Sequence, residues 1–149
     1  MNRRWRPRAS KLVDTALGPM LAALGEHGLA GLWFVDQRHY PVVDGWVMDG
    51  DDRLFAALAA ELDEYLRGRR REFAVPLDLS RGTPFQQAVW RALLAVPYGA
   101  RSTYGRIAAE IGRPAAARAV GAAVGRNPIS IIVPCHRVFG ADDSPTGYA

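Results

Sequence analysis

One thiol stands in a segment whose neighbouring residues could take part in chemistry. Cys135 is the only cysteine among 149 residues, and it lies in the stretch VPCHRV between Pro134 and His136. A thiol acts as a nucleophile when a base or an oriented site favours its attack. A single cysteine cannot form an intrachain disulfide, which is typical of a reducing compartment. Because the only other histidines are His27 and His39, we expect no metal site.

Four interpretations of Cys135 stay open from these residues alone. Free cysteine is among the most buried residue types, so a core position without chemistry is the first. A metal ligand is the second, although it lacks partners. A protease-type nucleophile needs an oriented base, and His136 would point to the opposite face if this segment is extended. The fourth is a nucleophile that is used once, because its sulfur becomes part of the product.

Charge is distributed unevenly along the chain. Residues 1–80 carry 11 Lys and Arg against 12 Asp and Glu, whereas residues 81–149 carry 8 Arg against 3 acidic residues. Such an excess of one sign indicates a polyanionic partner, although a solvated basic face gives the same composition. Apolar residues make up 49% of the sequence, which is enough for a packed core. No apolar run approaches the roughly 20 residues of a membrane span, so we expect no membrane partner.

Residues 1–79 are predicted to form a small α/β domain. The basic start, MNRRWRPRASK, is expected to be a solvated arm without the apolar segment of a secretory signal. Two apolar runs divided by a glycine-containing turn predict a β-hairpin between Leu17 and Val35. Residues 51–70 have acids first, apolar residues at helical spacing and bases last, which predicts an amphipathic helix. A strand, EFAVPLDL, should follow, and the domain boundary is expected at Ser80-Arg81-Gly82.

Residues 80–149 are predicted to be mostly helical. Thr83 and Pro84 are a helix start in TPFQQAVWRALLAV. Ser102-Thr103 precedes a second helix, YGRIAAEI, which should stop at Gly112. Pro114 then opens a third helix, AAARAVGAAVGRN. The second and third helices, joined by a short turn, form a helix-turn-helix candidate.

The third of these helices carries unusually small side chains. From Ala115 to Gly125 its residues are Ala, Gly and Val, apart from Arg118. Tight helix packing explains the inward half of these small residues, but it does not explain an arginine within a small face. An arginine on a smooth helix can enter a nucleic-acid groove, and a narrow minor groove suits it best.

Taken in order, these motifs resemble the O6-alkylguanine-DNA alkyltransferases, also called methylated-DNA–protein-cysteine methyltransferases. PCHRV, preceded by GRNPISIIV and RPAAARAVGAAV, is similar to their active-site region. The similarity extends through GTPFQQAVWRALLAVPYGARSTYGRIAAEIG and into TGYA, while residues 1–79 match more loosely. The implied fold is α/β: a small domain with a short antiparallel sheet and a helix, ribonuclease-H-like, packed on a mostly helical domain with a helix-turn-helix.

The resemblance implies DNA repair by direct, single-turnover alkyl transfer. In the family the cysteine takes the alkyl group from O6 of guanine, a role that falls to Cys135, and the histidine, here His136, activates it through a water. The damaged base is flipped out; Arg118 would fill the gap in the stack, and Tyr104 would rotate the nucleotide and bond the guanine. Asn127 would link the recognition helix to the active-site segment.

The resemblance also implies contacts, a pocket and a cellular setting. The expected DNA contacts are Arg118, Tyr104, Ala119, Ala122, Arg126, Ser102 and Thr103. Pro134, Arg137 and Val138 are expected to be structural around the thiol, and Tyr148 with Val138 should line the substrate pocket. No cofactor and no metal are implied. We expect a cytoplasmic, nucleoid-associated monomer that acts on double-stranded DNA, with O4-alkylthymine as a further candidate substrate.

The sequence departs from the family pattern after TGYA. Family members continue into a final helix whose glutamate orients the active-site histidine, and these 149 residues contain no match for it. The expected consequence is reduced activity or stability. Two rival functions stay open, namely a helix-turn-helix DNA-binding protein without transfer and a redox sensor that uses Cys135.

Overall fold

The computed structural model describes residues 5–48, 50 and 52–140. It divides the chain into two compact units, residues 1–81 and residues 82–149, which we call the N-terminal and C-terminal domains. The expected roles of Tyr148 and of the residues after Gly140 concern positions outside this description. In the part of the chain that is described, no helix is long and apolar enough to cross a bilayer.

The N-terminal domain is built on a three-stranded antiparallel sheet. Its strands are β1 (Ala9–Thr15), β2 (Gly18–Leu24) and β3 (Leu29–Phe34), in the order β1-β2-β3. The hairpin of β2 and β3 confirms the sequence prediction, with Ala22 opposite Leu32 in the register. The solvated arm is wrong from Ala9 onward, because β1 pairs along its whole length with β2. Pairing of β1 with the largely buried strand β2 here outweighs the polar composition of β1.

One helix and an irregular segment, residues 72–79, which we call the return segment, follow the sheet in this domain. The amphipathic helix is confirmed as α1 (Arg53–Leu66), and the Asp52 side chain caps it by accepting a hydrogen bond from the Leu54 N–H at 2.9 Å. The strand predicted for EFAVPLDL is wrong as a regular strand. Only a parallel bridge between Leu29 and Leu77 forms, because Pro76 has no N–H to donate to a ladder.

Residues 82–140 of the C-terminal domain contain three α-helices and a short parallel strand pair. They are α2 (Pro84–Leu94), β4 (Ser102–Thr103), α3 (Tyr104–Glu110), α4 (Ala117–Gly125) and β5 (Val138–Phe139), and β4 pairs with β5. Thr83 caps α2 as predicted: its side chain accepts from the Gln86 N–H at 3.1 Å, and the Gln86 side chain accepts from the Thr83 N–H at 3.0 Å.

The predicted helix pair is present as α3 and α4, which pack on each other and on α2. Gly112, with φ of 79°, follows the end of α3 as the sequence predicted. The start predicted for α4 is wrong by three residues, because Pro114 lies in a turn and the helix begins at Ala117. The Trp90 indole N–H donates to the Ala123 carbonyl at 2.9 Å and so fixes α2 against α4.

Candidate active site

Cys135 lies in a tight turn between two buried residues of the C-terminal domain. The residues Cys135–Arg137 form a single 3-10 turn, closed by the Arg137 N–H donating to the Pro134 carbonyl at 3.0 Å. An extended segment at this point is therefore wrong. The cysteine is only 5% exposed, whereas His136 beside it is exposed. Cys135 and His136 therefore differ in burial within a 3-10 turn, whereas the sequence argument placed them on opposite faces of an extended segment.

Burial keeps the thiol protonated. It raises the pKa of Cys135 to about 11, against hydrogen bonds from the Asn127 side chain and from backbone N–H groups that lower it. At pH 7 such a thiol is ionised in roughly one molecule in 10,000. Partial desolvation, together with the charge of Arg137, lowers the pKa of His136 below its usual 6.5. The imidazole is therefore mostly neutral at pH 7 and can accept a proton.

Asn127 joins the end of α4 to the segment that carries the thiol. Its Nδ2 donates to the Val133 carbonyl at 2.8 Å, and its Oδ1 accepts from the Ile129 N–H at 2.9 Å. These bonds span a compact turn in which Ile131 has a φ of 71°. Because β-branched residues rarely adopt positive φ, this turn stores strain that Asn127 helps to hold.

A second set of contacts fixes the other side of the turn. Arg137 donates from Nη1 to the Val96 carbonyl at 2.8 Å, and its guanidinium carbon lies 5.6 Å from the centre of the Tyr98 ring. Pro134 and Val138 flank the turn and are buried. Val138 also pairs through its backbone with Ser102. These contacts tie the turn to the loop after α2 and to β4.

Tyr104, the first residue of α3, presents a buried hydroxyl without a hydrogen-bond partner among the described residues. Its ring packs on α4 at Gly121, where an added Cβ would lie 3.1 Å from the ring. Sequence reasoning assigned no role to Gly121, and its only signal was a glycine inside an alanine-rich helix. A buried hydroxyl without a partner costs free energy and calls for an explanation.

The two faces of α4 differ sharply. Val120, Gly121, Ala123 and Val124 are buried, whereas Arg118, Ala119, Ala122 and the following Arg126 are exposed. Within the described part of the chain, the side chain of Arg118 has no hydrogen-bond or ion-pair partner. A helix face with small side chains and one arginine that has no partner can approach a polyanion closely.

Two of the expected DNA contacts are not free surface side chains, because Ser102 is buried and Thr103 caps a helix. Ser102 is 6% exposed, and its side chain does not lie on the surface, contrary to the expectation of a DNA contact. Thr103 Oγ1 accepts from the Arg106 N–H at 3.1 Å and caps α3. Among the described residues, no three His, Cys, Asp or Glu side chains cluster in a way that could hold a metal ion.

Comparison with known proteins identifies the family. A model described as "6-O-methylguanine DNA methyltransferase, ribonuclease-like domain" matches residues 10–79, and one described as its "DNA binding domain" matches residues 84–149. The methylated-DNA–protein-cysteine methyltransferase of Mycobacterium leprae is 48% identical over 136 residues, which cover 91% of this chain and 81% of that protein. The chain belongs to this methyltransferase family. The resemblance found in its motifs is thereby confirmed.

Other members of the methyltransferase family agree with this assignment. The Methanosarcina acetivorans enzyme of the same name is 45% identical over 139 residues, covering 93% of this chain and 87% of its own. A crystal structure of Mycobacterium tuberculosis OGT in complex with DNA has a TM-score of 0.82 at 46% identity, and the match covers 95% of this chain and 84% of that one. The fold prediction of an α/β domain followed by a helical domain is confirmed by these neighbours.

Proposed function

We propose that this chain repairs DNA by moving an alkyl group from O6 of guanine to the sulfur of Cys135. One observation carries the proposal: Asn127 bonds the turn that holds the only thiol directly to the end of α4, whose outer face is small and bears Arg118. A helix that faces DNA and a nucleophile are then parts of one hydrogen-bonded unit.

The proposed step balances as a simple displacement. The Cys135 sulfur attacks the alkyl carbon, a sulfur–carbon bond forms, and the carbon–O6 bond breaks. The thiol proton leaves the sulfur, and a proton arrives at the departing guanine, so that neutral guanine remains in the DNA. The product is a thioether, which is a poor leaving group, and we therefore expect one turnover per molecule.

Base flipping provides access to the sulfur. O6 of a stacked guanine lies within the duplex, and a base can be extruded at a cost of a few kcal/mol, which is lower for a damaged pair. Arg118, without a partner in the described chain, would fill the gap, and the exposed Ala119 and Ala122 would let the helix approach the minor groove. Arg126 would contact phosphate.

The electrostatics indicate how the step is driven. A thiol with a pKa of about 11 is not a standing thiolate, so a base must take up its proton before or during the transfer of the carbon. Neutral His136 is the proposed acceptor, through a water. The unpartnered Tyr104 hydroxyl would donate to the extruded guanine and stabilise its developing charge. O4-alkylthymine is a further proposed substrate, because its alkyl group is likewise bound to an exocyclic oxygen of the base.

Intact-mass measurement tests the transfer directly. The protein is incubated with a duplex that contains one O6-methylguanine, and we expect a gain of one methyl group that stops at one equivalent. The Cys135→Ser variant should gain none while keeping its affinity for the duplex. A native chain that binds the duplex but never gains mass would overturn the proposal.

A second candidate function is DNA binding without transfer. The observation that favours it is the thiol itself, because a cysteine that is 5% exposed with a raised pKa behaves in isolation as an inert core residue. In that case the same mass measurement finds no methyl group, and Cys135→Ser binds DNA like the native chain.

A further inference from the structure

The N-terminal domain contains a cavity of about 720 Å³ that the proposed transfer does not use. Its wall includes Trp5, Arg6, Arg8, Glu26, Asp78 and Arg81, all of which belong to this domain. Small-molecule sites commonly have volumes of about 300–1,000 Å³. The cavity is therefore large enough for a group of that size.

Three arginines, Arg6, Arg8 and Arg81, line this cavity. Arg81 lies over the Trp5 ring, with its guanidinium carbon 3.8 Å from the ring centre. Arg8 is held by Asp52, its Nη1 lying 3.0 Å from the carboxylate, and still lines the cavity. Because residues 1–80 carry 11 basic residues against 12 acidic ones, this clustering does not follow from an overall basic domain.

The buried acid in the wall is already engaged. Asp78 accepts hydrogen bonds from the Ser80 N–H at 3.0 Å, from the Ser80 hydroxyl at 2.5 Å and from the His27 N–H at 3.2 Å. Burial acts to raise the pKa of Asp78, but these hydrogen bonds hold it below its usual value. Gly25 accommodates the carboxylate, because a Cβ there would lie 2.3 Å from its Oδ2. Asp78 is thus committed to the backbone around it.

We propose that this cavity binds a phosphate group, carried either by a small molecule or by the DNA backbone. Guanidinium groups match phosphate oxygens in charge and in geometry, and Trp5 supplies a flat wall beside them. Glu26 also lines the cavity and is exposed, and the three arginines of the lining outnumber its two acidic residues, Glu26 and Asp78. The site is separate from the alkyl-transfer proposal and stands or falls without it.

Calorimetry on the full chain tests the site with pyrophosphate and thymidine monophosphate as probes. Arg6→Gln and Arg81→Gln should each weaken binding by about tenfold, since each removes one charged contact. Arg38→Gln is the matched control, because Arg38 is an exposed arginine of the same domain that does not line the cavity. Methyl transfer to Cys135 from the saturated DNA complex should be unchanged in all three variants.

A parallel titration with unmodified duplex at several salt concentrations distinguishes the sources of the phosphate. Weaker pyrophosphate binding in Arg6→Gln supports a small-molecule ligand. Unchanged pyrophosphate binding with a duplex affinity that depends less on salt supports a backbone phosphate. Arg6 is exposed, so Arg6→Gln should keep the native melting temperature even if Arg81→Gln does not. Identical behaviour of Arg6→Gln and Arg38→Gln toward both ligands would refute the site.

Discussion

The two domains differ in which of their buried polar groups have hydrogen-bond partners. In the N-terminal domain, the Ser10 hydroxyl donates to the Val47 carbonyl. The Glu61 carboxylate accepts from two N–H groups of the return segment, at 2.9 and 3.3 Å. Asp78 accepts three hydrogen bonds. Each of these buried groups fixes one piece of backbone to another.

In the C-terminal domain, the buried Asn127 side chain is satisfied in the same way, but other buried groups are not. The hydroxyls of Ser102 and Tyr104 have no partner among the described residues. Cys135 is held as a neutral thiol by burial. An unsatisfied buried polar group costs about 1–3 kcal/mol. Native proteins depart from consistent local rules mainly at functional sites, so we expect the Tyr104 hydroxyl to find its partner in the extruded base, as proposed above.

The largest effect that we expect is the pH dependence of the rate at which the Cys135 thiol is alkylated. Because burial raises the folded-state pKa to about 11, the neutral form dominates below that pH. Alkylation of Cys135 by iodoacetamide should therefore accelerate about tenfold per pH unit, or roughly a thousandfold between pH 7 and pH 10. Mass spectrometry of quenched samples measures the rate.

The control for this experiment is the same chain in denaturant. There the thiol has an ordinary pKa of about 8.5, and its rate should level off above roughly pH 9. A native rate that levels off between pH 6 and pH 8 would mean a standing thiolate. In that case burial would not hold Cys135 as a neutral thiol.

The next largest effect concerns the polar anchors of the two domains. Asn127→Ala leaves the Ile129 N–H without its partner and the Val133 carbonyl with only the Cys135 N–H, so it should cost about 1–3 kcal/mol of unfolding free energy. Glu61→Ala should cost a similar amount, since it strands two N–H groups. Urea unfolding measures both losses.

Only the first of these variants should also impair transfer. Asn127→Ala releases the turn that holds Cys135, so single-turnover transfer by the folded fraction should fall at least tenfold, whereas Glu61→Ala should transfer at the native rate. Equal transfer by both variants would mean that Asn127 only stabilises the fold.

The sequence predicted what local rules decide. The capping box at Thr83, the amphipathic pattern of α1 and the glycine after α3 each specify an element through nearby residues, and all three are present. Strand β1 was missed because its side chains are largely polar, and its partner is chosen by the buried strand β2. The strand predicted after α1 failed at Pro76, where no ladder can continue.

In the candidate site, too, local motifs were predictable and contacts between distant segments were not. The spacing of Cys135, His136 and Asn127 was visible as a linked motif. The positive φ of Ile131, the burial of Ser102 and the contact between Gly121 and Tyr104 depend on how distant segments pack. A propensity reading cannot supply such contacts, because they are properties of pairs of segments.

A smaller effect should separate a hydroxyl that builds the fold from one that waits for a ligand. Ser10→Ala removes a satisfied hydrogen bond and should cost about 1 kcal/mol of unfolding free energy. Tyr104→Phe removes an unsatisfied hydroxyl, so stability should stay the same or rise by up to about 1 kcal/mol.

Transfer should respond in the opposite order. From the saturated DNA complex, Tyr104→Phe should transfer about tenfold more slowly, because it no longer donates to the extruded base. Ser10→Ala should transfer normally. A native rate in Tyr104→Phe would exclude its role as a donor.

The smallest effect concerns the packing that positions Tyr104. Alanine usually stabilises a helix relative to glycine by about 0.5–1 kcal/mol, and Gly105→Ala should gain this much, since its Cβ meets only Thr103 Oγ1 at 4.0 Å. Gly121→Ala should gain less, because its Cβ lies 3.1 Å from the Tyr104 ring, which must shift by a few tenths of an ångström. Transfer should fall a few-fold in Gly121→Ala alone. If both variants gain equally and transfer equally, the ring has room to move, and its position is not what limits the reaction.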